Sequence, residues 1–380
     1  MKTKLLLAQI ALISLIMSSC IKDEPLGKET DIVSFTIDGE NFVSSEVSNE
    51  TVTVSVTEDT DLTKIIPRIE LSEGASVSPE SGTVQDFSAG PVHYVVTSED
   101  RKYDKRYTVS IIKPSSMPLT FDFEDWEQSS QGFYNMMVKN SNGRLVKMWD
   151  SGNPGIAFVN AGKDFATIPT SDFNDVYSGK YAAKLQTLKG NVSMGDLKIP
   201  IFSGSLFFGS FNLLSGIKEP LKCLRLGQSF SKSAGKPVMF TGYYKYKVGK
   251  PYIYLNENKE EVSTEDITDQ LSIYSVLFET TDQVKYLNGI TIMDSPNIVA
   301  RADWRPETAS ITDSPAEGGK GFIKFEIPFK YKEGVKLDFE NKEYKLVIMF
   351  ASSKDGNEYK GSLGSTLIVD EVEIVCEDIE

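Results

Sequence analysis

The sequence predicts an all-β protein made of two consecutive sandwiches. Three observations carry that class. Apolar and polar residues alternate with period two through many short runs, as half-buried strands require. Turn signals containing Gly and Pro punctuate those runs, and no long amphipathic helix or internal repeat interrupts them. A Pro/Ser stretch, Lys113-Pro114-Ser115-Ser116-Met117-Pro118, divides the strands into two blocks. The chain has 380 residues, 40% hydrophobic and 11% aromatic, which suffices for two cores. Its formal net charge of −14 excludes the basic surface that nucleic-acid binding needs and fits a solvated acidic exterior.

Residues 1–19 read as a targeting segment rather than a structural helix. Lys2 and Lys4 precede an apolar run, 5–17, that is too short for a comfortable membrane span. Met17-Ser18-Ser19-Cys20 resembles a lipoprotein signal cleavage site, with Met17 departing from the usual Leu, Val or Ile. Cys20 would then be the first mature residue and carry a lipid that anchors the chain to the outer membrane. Ile21-Lys22-Asp23-Glu24 resembles a surface-export signal of some gram-negative bacteria, and it also reads as a plain charged tether. The tether, 20–31, leads into the first domain.

Residues 32–114 form that domain. Strands are expected at 32–37, 51–57, 92–97 and 107–112, with turns at Asp38-Gly39, Glu73-Gly74 and Ser81-Gly82. The segment resembles bacterial immunoglobulin-like modules of surface proteins, which implies a spacer role. His93, the one histidine in the chain, falls on a strand without companions for metal or base chemistry.

The second domain, 119–380, is organised by its ends. Residues 346–351 and 365–375 read as strands joined by a polar loop. Alternation places Ile368, Asp370, Val372 and Ile374 on one face of the last strand, with Glu371 and Glu373 on the other. Asp370 is the odd member, because an unpaired carboxylate on an apolar face is costly. The start of the domain puts Asp122 and Glu124 on one face, Phe121 and Phe123 on the other. First and last strands are expected to pair. Further strands are expected at 144–149, 180–187, 204–214, 237–248, 271–279, 322–328 and 343–351. Segments 250–268 and 294–321 look too polar for core and read as functional loops or excursions.

Six stretches carry a family resemblance. Phe121–Glu127 (FDFEDWE), MWDSGN from Met148, FSGSLFFGSF from Phe202, TGYYKYKVG from Thr241, ASSKDG from Ala351 and GSTLIVDEVEI from Gly364 occur in the order and spacing of the PCMD family, the "putative carbohydrate metabolism domain". The resemblance covers nearly all of 119–380. It implies a jelly-roll β-sandwich behind a smaller immunoglobulin-like domain, a sugar-related role and a glycan partner, and it carries no established reaction.

Candidate chemistry starts from an exclusion: without histidine, the large domain cannot form a Ser-His-Asp or Cys-His pair or a His-ligated zinc site. Cys223 and Cys376 read as buried thiols, with a long-range disulfide not indicated. Glycoside hydrolysis needs two carboxylates facing a sugar. Glu124, Asp150, Asp303, Glu371 and Glu373 are its candidates, and each also reads as an ordinary surface acid. Sugar binding needs aromatic faces and hydrogen-bonding groups. Trp149, Asp150 and Asn153 in one turn, Asp303 and Trp304 in one loop, Tyr243 and Lys245 on one strand face, and Ser352, Ser353 and Lys354 in one loop are the expected ligand contacts; each tryptophan reads equally as core. The jelly-roll resemblance further implies a structural calcium held by Glu124 and Asp370, against the alternative of a cation partner or backbone N–H donors for Asp370. No other cofactor is indicated. The reading is a glycan-binding surface lipoprotein; a glycoside hydrolase and a structural or adhesive protein are the alternatives.

Overall fold

The computed structural model describes residues 26–379 apart from 40, 58–59, 114–116, 140–142, 144, 161–163, 195–196, 214–218 and 304–319. Cys20, the targeting segment, Trp304 and the middle of the interdomain stretch therefore lie outside the described residues.

The chain is all-β. In the first domain the strands Phe42–Val47, Thr51–Val56, Asp104–Ile112, Val92–Thr97 and Ser76–Ser78 form one sheet, which faces the pair Ile32–Ile37 and Pro67–Leu71. Thr51–Val56 alternates half-buried and buried residues along its length, the pattern that period-two apolar spacing dictates. Phe35 meets Tyr94 edge-to-face, centroids 5.8 Å apart, at the centre of this core. The domain is not merely tethered. Arg225 Nη1 donates to Glu46 Oε2 at 3.0 Å, and Asn212 Nδ2 donates to the Val47 carbonyl at 3.0 Å. Ile112, just before the Pro/Ser stretch, and Met117, within it, are buried in the second domain's core.

The second domain is a jelly-roll sandwich. One sheet runs Trp149–Ser151, Ser205–Phe211, Tyr344–Ala351, Ser272–Glu279, Ile298–Asp303, Lys330–Tyr331, with two short strands added at Leu224–Leu226 and Gln228–Phe230. The other runs Thr167–Thr170, Ala182–Gln186, Thr366–Glu377, Lys236–Lys247, Ile323–Pro328. Thr120–Phe121 pairs with Thr366–Glu377, so the domain does close first strand to last. Leu206, Phe208, Ile348 and Phe350 of the eight-stranded sheet meet Phe240, Tyr244, Tyr246 and Val369 of the six-stranded one in a single core.

Two local features matter for the site. The strand Tyr344–Ala351 is buried at nearly every position, so both faces of the eight-stranded sheet are covered. Phe207, Leu226, Val276, Phe278, Val347 and Met349 form a second apolar layer on its outer face. The last strand carries a bulge: Thr241 pairs with Glu373 and Tyr243 with Asp370, so Gly242 alone faces Glu371 and Val372. Glu371 adopts φ 47° there. The extra residue shifts the alternation by one. Leu367 and Val369 point into the core before the bulge, Val372 and Ile374 after it. Ile368 packs instead with Val176 and Ala182 outside the main core. Strict alternation had put Ile368 and Asp370 with Val372 and Ile374; the bulge puts them on opposite faces. Two further expectations fail. Ile298–Asp303, within the supposed excursion 294–321, is an interior strand of the eight-stranded sheet, and 250–268 contains the hairpin Tyr252–Leu255 and Glu261–Thr264.

Candidate functional site

On the outer face of the eight-stranded sheet lies a cleft of about 690 Å³, within the range of small-ligand sites. Its floor follows strand register. Ser205, Ala351 and Ser272 stand side by side, and one row along stand Phe207, Met349 and Tyr274. One wall is the helix Asn153–Asn160, whose Ile156 and Val159 are three residues apart and so share a face. The hairpin Leu188–Met194/Leu197–Phe202 contributes Leu197, Ile199 and Ile201. A third wall is the loop 353–359, which brings Lys354, Asp355, Asn357, Glu358 and Tyr359. Asp303 lines the cleft beside Tyr274, its strand partner. Burial raises the Tyr274 phenol, and the Asp303 carboxylate adds to that shift while Arg301 opposes it.

That third wall is held by a carboxylate the sequence did not single out. Asp269 is 3% exposed. Its Oδ2 accepts from Ser353 Oγ at 2.6 Å, Ser362 N at 2.7 Å and Ser365 Oγ at 2.8 Å, and its Oδ1 from Gln270 N at 2.8 Å. Burial pushes its carboxyl up and these donors pull it back. Ser352 Oγ shares a hydrogen bond with Thr187 Oγ1 at 2.7 Å and accepts from Gly204 N at 3.0 Å. The loop also packs too closely for a side chain at Gly356, where a Cβ would lie 2.3 Å from Ser203 Cβ.

The structure divides the expected ligand contacts. Asp303, Ser353 and Lys354 line the cleft, but Ser353 is fully buried with its hydroxyl given to Asp269. Ser352 is likewise buried and holds the loop. Trp149 is a core residue. It is 0% exposed, with Phe208 and Phe121 at 4.3 and 5.2 Å between ring centroids, and offers no face to a ligand. Asp150, 4% exposed, sits 3.0 Å from Lys147 Nζ and accepts from Phe211 N at 2.9 Å. Asn153 is tied to Thr167 in both directions, donating to its carbonyl and accepting from its N–H. The side chains of Trp149, Asp150 and Asn153 thus point inward and support the cleft's helix, and only Gly152 of this turn reaches the lining. Of the five candidate acids for hydrolysis, only Asp303 lines it; Asp294, Asp355 and Glu358, which were not singled out, also do.

Tyr243 and Lys245 lie on the other side of the sandwich, on the outer face of the six-stranded sheet. Tyr243 stacks on Tyr177 with centroids 3.7 Å apart and planes 15° apart. Lys245 Nζ pairs with Asp175 at 3.2 Å. The covering loop, 172–181, is clamped by the two carboxylates expected to hold calcium. Asp370, 0% exposed, accepts from Tyr177 N and Ser178 N at 2.9 and 3.2 Å, and Glu124 Oε1 from Lys180 N and Tyr181 N at 2.7 and 3.0 Å. Each bond points a hydrogen at an oxygen that a cation would need bare. Backbone donors replace the expected calcium. Among the described residues no group of three or more His, Cys, Asp or Glu is gathered to hold a metal. Burial lifts the Asp370 carboxyl to about 7 despite these donors. Cys223, also on the cleft lining, is a free buried thiol pushed up to about 11 by desolvation.

The family described as "Putative carbohydrate metabolism domain" matches residues 122–375, and a family described as "SGBP, N-terminal" matches residues 32–111. A solved structure from Bacteroides thetaiotaomicron, called a "putative glycoside hydrolase", is 29% identical. It covers 94% of this chain and 99% of its own, with a TM-score of 0.80. One from Bacteroides vulgatus, called the same, is 30% identical over 69% of this chain and 100% of its own, with a TM-score of 0.58. No curated protein matches.

Proposed function

The chain belongs to the "Putative carbohydrate metabolism domain" family, and on that premise we propose that its jelly roll binds a saccharide in the cleft on the eight-stranded sheet. Both matched domains and what the similar structures are called support a role in glycan utilisation. One observation carries the finer reading. The lining of a single concavity carries three aromatic residues, Phe158, Phe211 and Tyr274, together with an acid, an amide and an ammonium residue, Asp303, Gln270 and Lys354. Rings take the C–H face of a pyranose, and the polar groups take its hydroxyls.

The test is calorimetric titration of the chain from Ile21 onward against a glycan panel, with product release followed in the same samples. Phe158 is 55% exposed at the cleft wall. Phe158→Ala is expected to weaken binding about five- to tenfold, roughly the apolar area one ring contributes, and to leave the melting temperature unchanged. An unaltered affinity places the ligand elsewhere. Hydrolysis is the second reading, favoured by the four carboxylates on the lining and by what the similar structures are called; released product would establish it.

The surface location rests on the sequence pattern at Cys20 and Lys22-Asp23-Glu24 and on the match to the "SGBP, N-terminal" family. Cys20→Ala is expected to move the protein from the membrane fraction to the soluble one. Retention in the membrane fraction would refute the lipid anchor.

A further inference from the structure

Strand register sorts the cleft by polarity. At one end the row of Ser205, Ala351 and Ser272 opens towards Gln270, Lys354 and Asp355. Phe207, Met349 and Tyr274 follow. Beyond them, where Phe211 pairs with Leu224, the lining becomes mostly hydrocarbon: Leu221, Leu224, Leu226, Ile292 and Met293, with the Cys223 thiol among them and Asp294 following Met293. The helix adds Ile156 and Val159 to the lining, and its Gly155 sits against the Phe211 ring. Branched aliphatic side chains offer a sugar neither a flat ring to stack on nor a partner for its hydroxyls. They exclude water, and what gains from that is hydrocarbon. A polar end alone would serve an unmodified oligosaccharide, and this cleft has a second half that such a ligand leaves unused.

We propose that the cleft recognises a saccharide bearing an apolar substituent, an alkyl, acyl or aryl group. The sugar lies against the Asp303–Lys354 end and the substituent against Leu221, Leu224, Ile292 and Met293. This rests on the saccharide reading above and narrows it. The volume of about 690 Å³ holds a short saccharide together with such a group.

Calorimetry on the chain from Ile21 onward tests it with matched probes below their micelle concentrations: methyl and n-octyl β-glycosides of glucose, galactose and mannose, plus octanoate. At least one octyl glycoside is expected to bind ten times or more tighter than its methyl counterpart, a factor that about two buried methylenes supply. Met293 is 41% exposed at the cleft, so Met293→Asp spares the fold and is expected to shrink that ratio. Equal affinities within every pair, or a ratio that Met293→Asp leaves intact, overturn the inference. If panel oligosaccharides still bind in that case, the saccharide reading survives alone. Octanoate binding as tightly as the best octyl glycoside likewise overturns the inference, and no binding by any probe or panel member overturns both.

Discussion

On the outer face of the eight-stranded sheet, Asp269 gathers two serine hydroxyls and two backbone N–H groups and fixes the loop that walls the cleft. On the outer face of the six-stranded sheet, Asp370 and Glu124 gather backbone N–H groups and fix the loop 172–181. The device is the same: a carboxylate satisfied by several donors rather than by a cation, tying a loop to strands far away in sequence. The outcome differs. The loop 172–181 lies flat, with Tyr177 stacked directly on Tyr243. The loop 353–359 stands at the end of the interior strand Tyr344–Ala351, braced by Ser203, and with the helix and hairpin it walls a floor that remains accessible. Concavity, rather than the chemistry of the clamp, separates the candidate site from its counterpart.

The largest expected effect falls on the cleft side. Asp269→Ala leaves two buried backbone donors and two hydroxyls without their acceptor. A loss of roughly 3–5 kcal/mol of stability follows, from the penalty for each unsatisfied buried group, and ligand affinity falls with the wall. Denaturant unfolding and calorimetry measure the two. A loss below about 1 kcal/mol would show that the loop holds itself and would break the analogy between the faces.

The other face yields a pH signature. Burial holds the Asp370 carboxyl at about 7 in the folded state, against an ordinary value of 3.8. The folded state therefore binds the proton more tightly than the unfolded one. The stabilisation from that proton is complete below 3.8 and is lost as pH rises through about 7. Burial of Asp269 shifts its carboxyl in the same direction. Melting temperature is thus expected to fall between pH 5 and pH 8. Asp370→Asn, which keeps one acceptor oxygen but does not titrate, should flatten part of that slope. An Asp370→Asn slope equal to wild type would mean that this group does not titrate in the window.

Much of the fold was legible because it follows period-two burial. Ser272–Glu279, Ile323–Pro328 and Tyr344–Ala351 fall within a residue of where alternation puts them. Strand Ile298–Asp303 escaped because it borders a polar stretch and its own run, Ile-Val-Ala-Arg-Ala-Asp, is short and only partly apolar. The site was less legible, for two physical reasons. Period counting is blind to a bulge, and one extra residue at Glu371 moved Asp370 from the core face to the outer face. Side-chain type also does not report burial: Trp149, Asp150 and Asn153 have the chemistry of a sugar subsite and use it inside the protein. A usable signal did exist. The unbroken apolar run Leu206-Phe207-Phe208, like Leu346–Phe350, requires a sheet covered on both faces, and a covered outer face is where a cleft can form.

The smallest expected effect tests whether the flat face is only structural. Tyr177 is 42% exposed, has one ring face against Tyr243 and meets Phe322 edge-on at 5.7 Å. Tyr177→Ala removes those ring contacts and is expected to cost about 0.5–1.5 kcal/mol, the usual worth of an aromatic pair. The backbone N–H of residue 177 still reaches Asp370, so the clamp itself persists. Affinity for any ligand of the cleft should not change, because the sandwich core separates the two faces. Unfolding and calorimetry on the same sample decide it. A fall in affinity with stability retained would mean that a ligand reaches both faces. The stacked tyrosines would then be a second point of contact, and the flat loop would share the cleft's function.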